Sequence, residues 1–134
     1  MLNSIDHIVL TVKDLNKTIT FYRDVLGVQI EYFGENKDRV ALKFGTQKIN
    51  LHLWQHEFEP KAKAPTPGAI DICFLSNTSL TKIIEHLHQM NIVIVEGPIE
   101  RTGAQGKILS IYIRDPDENL LEIANLLESN GSLN

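Results

Sequence analysis

The chain is predicted to be an α+β protein built from two copies of one βαβββ unit, and two observations predict it. The order strand, helix, three strands occurs twice along 134 residues, once on each side of a proline-rich stretch. The two halves also superpose residue on residue. An offset of 64 lays His7 on Asp71, Ile19 on Ile83, Leu26 on Met90, Val28 on Ile92 and Ile30 on Ile94, and an offset of 72 lays Lys48, Ile49 and Asn50 on Leu120, Leu121 and Glu122. The added residues fall between Gly97 and Gly106, a turn-rich piece where an insertion is tolerated. The length suits one domain. Its two modules are placed at about residues 4–56 and 69–127, joined by a linker over residues 57–68.

Each element has a local reason. Ile5 to Val12 is short and β-branched, as a buried strand is. Asp14 then opens a helical pattern from Leu15 to Leu26, and Gly27 closes it. Val28 to Phe33 alternates like a strand, Gly34 to Asp38 is turn-rich, and Arg39 to Phe44 and Lys48 to Trp54 form a hairpin through Gly45-Thr46-Gln47. Three of the five prolines fall between Glu57 and Gly68; proline donates nothing to a ladder and disfavours helix before it, so this piece is expected to be irregular. In the second half Ile70 to Leu75 is a strand, Ser79 to Met90 a helix, and Ile92 to Val95 a strand. Lys107 to Ile113 and Asn119 to Ala124 complete the unit, and the tail from Glu128 to Asn134 has little to bury and is expected to fray.

Composition removes several functions. Thirteen Lys and Arg against 17 Asp and Glu give a net charge of -4, with no dense basic block, which argues against nucleic-acid binding. No apolar run approaches the ~20 residues that cross a bilayer, and no signal segment opens the chain, so a cytoplasmic protein without membrane contact is expected. Cys73 is the only cysteine, which rules out an intrachain disulfide and a cysteine-rich zinc site; it is expected to be a small core residue. Small molecules and other subunits remain as partners.

One carboxylate stands out. Glu122 lies inside the apolar run that follows Arg114-Asp115-Pro116-Asp117-Glu118-Asn119. A carboxylate in mid-strand is either on the wet face of an antiparallel sheet or held by a cation or metal. Two βαβββ units side by side make a curved mixed sheet with a concave face, and alternation tells which polar residues share a face. His7 goes with Val9 and Thr11; Asn50 with His52 and Trp54; Asp71 with Cys73; Glu122 with Leu120 and Ala124. A lone histidine on an apolar strand is commonly a hydrogen-bonded core residue. His7, His52 and Glu122 taken together instead suit a divalent Zn, Ni, Mn or Fe ion with positions left open for substrate. His56, His86 and His88 are read as outside the site, and Arg101, Arg114 and Tyr112 as candidates for engaging an anionic substrate.

The paired units, the opening Asp6-His7-Ile8-Val9-Leu10-Thr11-Val12-Lys13-Asp14, the helix with Phe21-Tyr22-Arg23-Asp24-Val25-Leu26-Gly27 and the closing Asp115-Pro116-Asp117-Glu118-Asn119-Leu120-Leu121-Glu122-Ile123 resemble the vicinal oxygen chelate superfamily. That superfamily includes glyoxalase I, bleomycin and fosfomycin resistance proteins, methylmalonyl-CoA epimerase and extradiol dioxygenases. Within it the chain looks most like the small single-module glyoxalase-domain proteins, including a virulence-related type. The resemblance implies a metal held by His7 and Glu122, with Asp71 standing where the pattern often has histidine, and Asn50 or His52 on the fourth strand. It implies a substrate with two adjacent oxygens, and Glu122, then Asp71, as the carboxylates that move a proton. It also implies a homodimer. The leading expectation is a metal-dependent lyase or isomerase of the glyoxalase type. Ring-cleaving dioxygenation and metal-free drug sequestration, with Trp54, Phe44, Phe74 and Tyr112 as aromatic candidates, are the alternatives.

Overall fold

The computed structural model describes residues 1–128. The fraying expected of the tail therefore concerns, beyond Glu128 itself, positions outside the described residues. The chain divides into two compact units, Met1–Ile70 and the residues from Asp71 onward. The first contains β1 (His7–Val12), α1 (Leu15–Asp24), β2 (Gln29–Phe33), β3 (Arg39–Phe44) and β4 (Gln47–Leu53). The second contains β5 (Asp71–Leu75), α2 (Leu80–Gln89), β6 (Glu96–Thr102), β7 (Lys107–Arg114) and β8 (Leu120–Leu126). Each unit has its own four-stranded mixed sheet, in the orders β1-β4-β3-β2 and β5-β8-β7-β6. In both, the first strand runs parallel to the last and the other pairings are antiparallel. This is the predicted α+β class with the repeated βαβββ order.

The ladder registers reproduce the two sequence offsets. His7 pairs with Lys48 and Val9 with Asn50 on β1 and β4. Their counterparts Asp71 and Leu120, and Cys73 and Glu122, pair in the same way on β5 and β8. The helices begin where their caps allow. The Asp14 carboxylate accepts from the Lys17 amide at 3.0 Å, and the Ser79 side chain accepts from that of Lys82 at 3.4 Å, each satisfying an orphan donor of the first turn. One sheet face of each unit packs on its helix. Val12, Leu42 and Tyr22 form that core in the first unit, and Leu87, Ile111, Ile113 and Leu121 in the second, all 1% exposed or less. Asn125 ties β8 to α2: its Oδ1 accepts from the Leu80 amide at 2.7 Å and its Nδ2 donates to the Ser76 and Thr78 carbonyls.

Two expectations fail. Ile92 to Val95 is not a strand; the strand lies further on, at Glu96–Thr102, inside the piece expected to be a turn. The chain leaves α2 through Asn91 at φ 58°, and the Ile92 amide donates back to the Leu87 carbonyl, so the helix exit is completed only at Ile92, and Val95 is the first residue to reach β7, its amide donating to the Tyr112 carbonyl at 2.7 Å. Strand pairing starts at Glu96 with Tyr112, is interrupted by a register shift, and resumes at Ile99 with Ser110. Pro98 has no amide to give the ladder, which is why the interruption falls there. Gly97 sits at φ 103°, and a Cβ on it would collide with the Ser110 carbonyl oxygen. The second failure is Cys73, which is exposed rather than in the core. Alternation puts it on the helix-free face of β5, opposite Glu122.

Among the described residues no helix is long and apolar enough to cross a membrane.

Candidate functional site

In the second unit Glu122 stands on the face turned away from α2, in the middle of β8, with Cys73 opposite on one side and Tyr112 on the other. Asp71, exposed at the start of β5, shares that face one pleat away. Glu122 is half-buried and has no Lys or Arg within ion-pair distance among the described residues. Its charge is instead held by Ser110, fully buried, whose Oγ donates to Glu122 Oε2 at 2.5 Å. Burial, followed by the charge of Glu122 and a hydrogen bond to it, pushes the Cys73 thiol up to about 11. The thiol is therefore protonated at neutral pH, a donor rather than a nucleophile. Beyond Tyr112, Arg101 donates through Nε to the phenol oxygen at 3.0 Å. Cys73, Glu122, Arg101, Ile108 and the loop Gly103 to Gln105 line a cavity of about 330 Å³.

The strand is delivered to this place by the turn before it. Asp115 Oδ1 accepts from the amides of Asp117 and Asn119, at 2.9 and 3.0 Å, while Asn119 Nδ2 donates to Asp115 Oδ2 at 2.8 Å. Asp115 and Asn119 are both buried, so the acidic motif ahead of Glu122 builds the turn. Arg114 serves the same turn, donating to the Glu118 carbonyl at 3.2 Å.

In the first unit the equivalent face carries His7, Val9 and Thr11 on β1 and Lys48, Asn50 and His52 on β4. His7 is partly exposed, and its Nδ1 lies 2.8 Å from the Asp6 carboxylate. A carboxylate can only accept, so in the neutral ring Nδ1 carries the proton and Nε2 keeps its lone pair. The same hydrogen bond is the main reason the Asp6 carboxyl lies below its ordinary value. His52 is four positions further along β4 than the partner of His7, and is 4% exposed. Four residues of strand span about 13 Å. Arg39 Nη2 lies 3.3 Å from His52 Nε2, and the edge of the His52 ring meets Phe58. Burial first, then the Arg39 charge, holds the imidazole below the usual histidine value. Asn50, the repeat partner of Glu122, is buried with its Oδ1 unpartnered.

The donors fit a divalent ion unequally. His7 offers a lone pair with a carboxylate behind the ring, the arrangement that orients metal-ligating histidines. Glu122 offers the oxygen that Ser110 leaves free. His52 does not fit, since its Nε2 already accepts from a guanidinium that would also repel a cation. Among the described residues no group of three or more His, Cys, Asp and Glu side chains stands together. His86 and His88 lie on α2, and His56 in an exposed turn after β4.

Four features escape sequence reasoning: Ser110 beneath Glu122, Arg39 and Phe58 around His52, and the proline-rich segment. That segment folds back over β1 and β4, closing a cavity of about 540 Å³ with Val9, Thr11 and His52. Arg39 was within reach of the sequence, because a two-residue hairpin at Gly45-Thr46 pairs Val40 with Leu51 and so brings the next residues out, Arg39 and His52, level with each other.

Comparison with known proteins gives a consistent picture. Residues 4–123 match the model of the Glyoxalase/Bleomycin resistance protein/Dioxygenase superfamily. The chain is 55% identical to the virulence protein STM3117 of Salmonella typhimurium over 92% of its own length and 85% of that protein. It is 52% identical to the glyoxalase domain-containing protein RDO1 of Mycosarcoma maydis, over 91% of this chain and 68% of that one. The crystal structure of STM3117 superposes with a TM-score of 0.89 at 54% identity, covering 92% of this chain and 97% of that one. Lactoylglutathione lyase from Agrobacterium tumefaciens, at TM-score 0.69 and 22% identity, covering 92% and 94%, shares the fold. So does a Listeria monocytogenes fosfomycin resistance protein, FosX, solved with Mn(II), at TM-score 0.63 and 22% identity, covering 92% and 90%.

Proposed function

Since the chain belongs to the glyoxalase/bleomycin resistance/dioxygenase superfamily, we propose that it is a metal-dependent lyase or isomerase of the glyoxalase type, acting on a small substrate with adjacent oxygens. The observation that carries this is Glu122: a half-buried carboxylate in mid-strand, facing a cavity, braced by a buried hydroxyl and paired with no cation. A structural glutamate has no need of that arrangement, whereas a donor or base does.

In this proposal His7 of the first unit and Glu122 of the second are each a metal donor, and a divalent ion, when bound, would supply a Lewis acid for the substrate oxygens. Asp6 fixes the His7 ring with Nε2 outward. Ser110 holds Glu122 Oε2 and leaves Oε1 to work. Glu122 is the first group to take a proton from substrate, and Asp71, on the same face, the second. The neutral Cys73 thiol beside Glu122 adds a donor without competing for the ion. The enzyme is expected in the cytoplasm as a homodimer.

The test is metal content of protein purified without chelator, followed by turnover of methylglyoxal hemithioacetal by wild type, His7→Ala and Glu122→Gln. Stoichiometric metal, lost in His7→Ala, with turnover lost in both variants, supports the proposal. Wild type that neither carries nor takes up Zn(II), Ni(II), Mn(II) or Fe(II) ends it. Turnover of catechols in place of the hemithioacetal would convert it to ring cleavage.

A further inference from the structure

We propose that the cavity beneath the proline-rich segment of the first unit binds the carboxylate of a small organic acid, with His52 as the donor at its floor and Arg39 as the residue that fixes that donor. The cavity shares the β1 face with His7 but its proposed donors include neither His7 nor Glu122, so it is testable without the metal chemistry proposed above.

The cavity has the size of a small-molecule site, and its walls are mostly apolar, with Val9, Pro60, Pro65 and Ile70 among them and Lys61 and Thr66 as the polar residues of the proline-rich side, the Lys61 ammonium itself favouring an anion. Its polar floor is Thr11 on β1 and His52 on β4, directly opposite each other in the ladder and 8% and 4% exposed. A guanidinium can only donate. With Arg39 Nη2 at 3.3 Å, His52 Nε2 must therefore accept, and the neutral ring carries its proton on Nδ1. Nδ1 has no hydrogen-bond partner among the described residues. The floor thus presents an N–H and a hydroxyl to whatever enters.

Charge selects the occupant. Arg39 stacks between Phe33 and Phe58, its guanidinium carbon 5.1 and 4.5 Å from the ring centroids. It has no carboxylate within ion-pair distance among the described residues, and its Nε is buried without a partner. The acidic side chain nearest His52 in effect, Glu57, is committed to the Gln55 amide at 2.6 Å and to Lys61 at 3.6 Å. A part-buried cation flanked by rings is costly without a counter-charge. An anion hydrogen-bonded to His52 Nδ1 receives that charge through the imidazole. A neutral amide of the same shape gains much less, and a phosphate dianion carries more charge than two donors can satisfy. The apolar walls suit a short branched acid.

The experiment is an NMR titration of the full-length labelled protein, without added metal, using isobutyrate and isobutyramide as probes. Saturable shifts at Thr11, His52, Ala62 and Ile70 are expected with isobutyrate, and affinity about tenfold weaker for isobutyramide. Nitrogen–proton correlation of the ring should show His52 as the Nδ1–H tautomer. Arg39→Gln should weaken isobutyrate about tenfold and mix the tautomers, with Arg39→Lys restoring most of the affinity. Thr11→Val, which keeps shape and fold, should weaken it too. Equal binding of acid and amide, no saturable shift, or an Nε2–H tautomer in wild type overturns the proposal. Because no metal is present, this outcome is independent of whether the hemithioacetal is turned over.

Discussion

Cys73 and Glu122 stand directly opposite each other on the parallel strands β5 and β8, as Val9 and Asn50 do on β1 and β4. The duplication has thus kept a backbone position and changed its chemistry. One copy holds a carboxylate beside a thiol, the other a buried amide beside a valine.

The thiol of this pair gives the first prediction. With its pKa pushed up to about 11, Cys73 should react with iodoacetamide roughly a hundredfold more slowly at pH 7.5 than an ordinary exposed cysteine, despite its exposure. Glu122→Gln removes the charge that contributes to the shift and should speed alkylation. Rates equal to those of free cysteine would refute the prediction.

His52 predicts a pH dependence of stability. Its folded value is lowered, so the folded state favours the neutral ring. The contribution is complete above the ordinary histidine value and is lost as pH falls through the lowered folded one. Urea midpoints measured across that window should fall in wild type and fall less in His52→Gln. Arg39→Gln should also flatten the dependence, since the Arg39 charge is the second cause of the shift.

Asn125→Ala should cost about 2–3 kcal/mol in urea unfolding, because it removes the acceptor at the start of α2 and leaves two loop carbonyls without their donor. Hydrogen exchange should quicken first at Leu80 and its neighbours. A loss below ~0.5 kcal/mol would mean that water replaces the amide.

Gly97→Ala should destabilise by about 2 kcal/mol or more, since the new Cβ meets both a left-handed backbone and the Ser110 carbonyl. The shift of β7 should reach Ser110 and weaken its hold on Glu122. Turnover is therefore expected to fall more than the fraction unfolded accounts for, measured by activity alongside circular dichroism.

Periodicity, caps and repetition determined the element order, the α+β class and which residues share a face. These are local or register-bound properties: alternation sorts side chains to two faces, and the offsets of 64 and 72 lay His7 on Asp71 and Lys48 on Leu120, so that the His7–Lys48 pairing of one unit recurs as Asp71–Leu120 in the other. Tertiary structure decided what those faces do. The start of β6 depended on where pairing with β7 could begin around Pro98, and the exposure of Cys73 on which face α2 covers. The role of His52 depended on Arg39 and on a proline-rich segment with no periodicity to reveal where it lies. Glu122 was visible as an oddity in the sequence, but the hydroxyl that braces it comes from a neighbouring strand. Its chemistry rests on that long-range contact, which residue spacing along the chain does not encode.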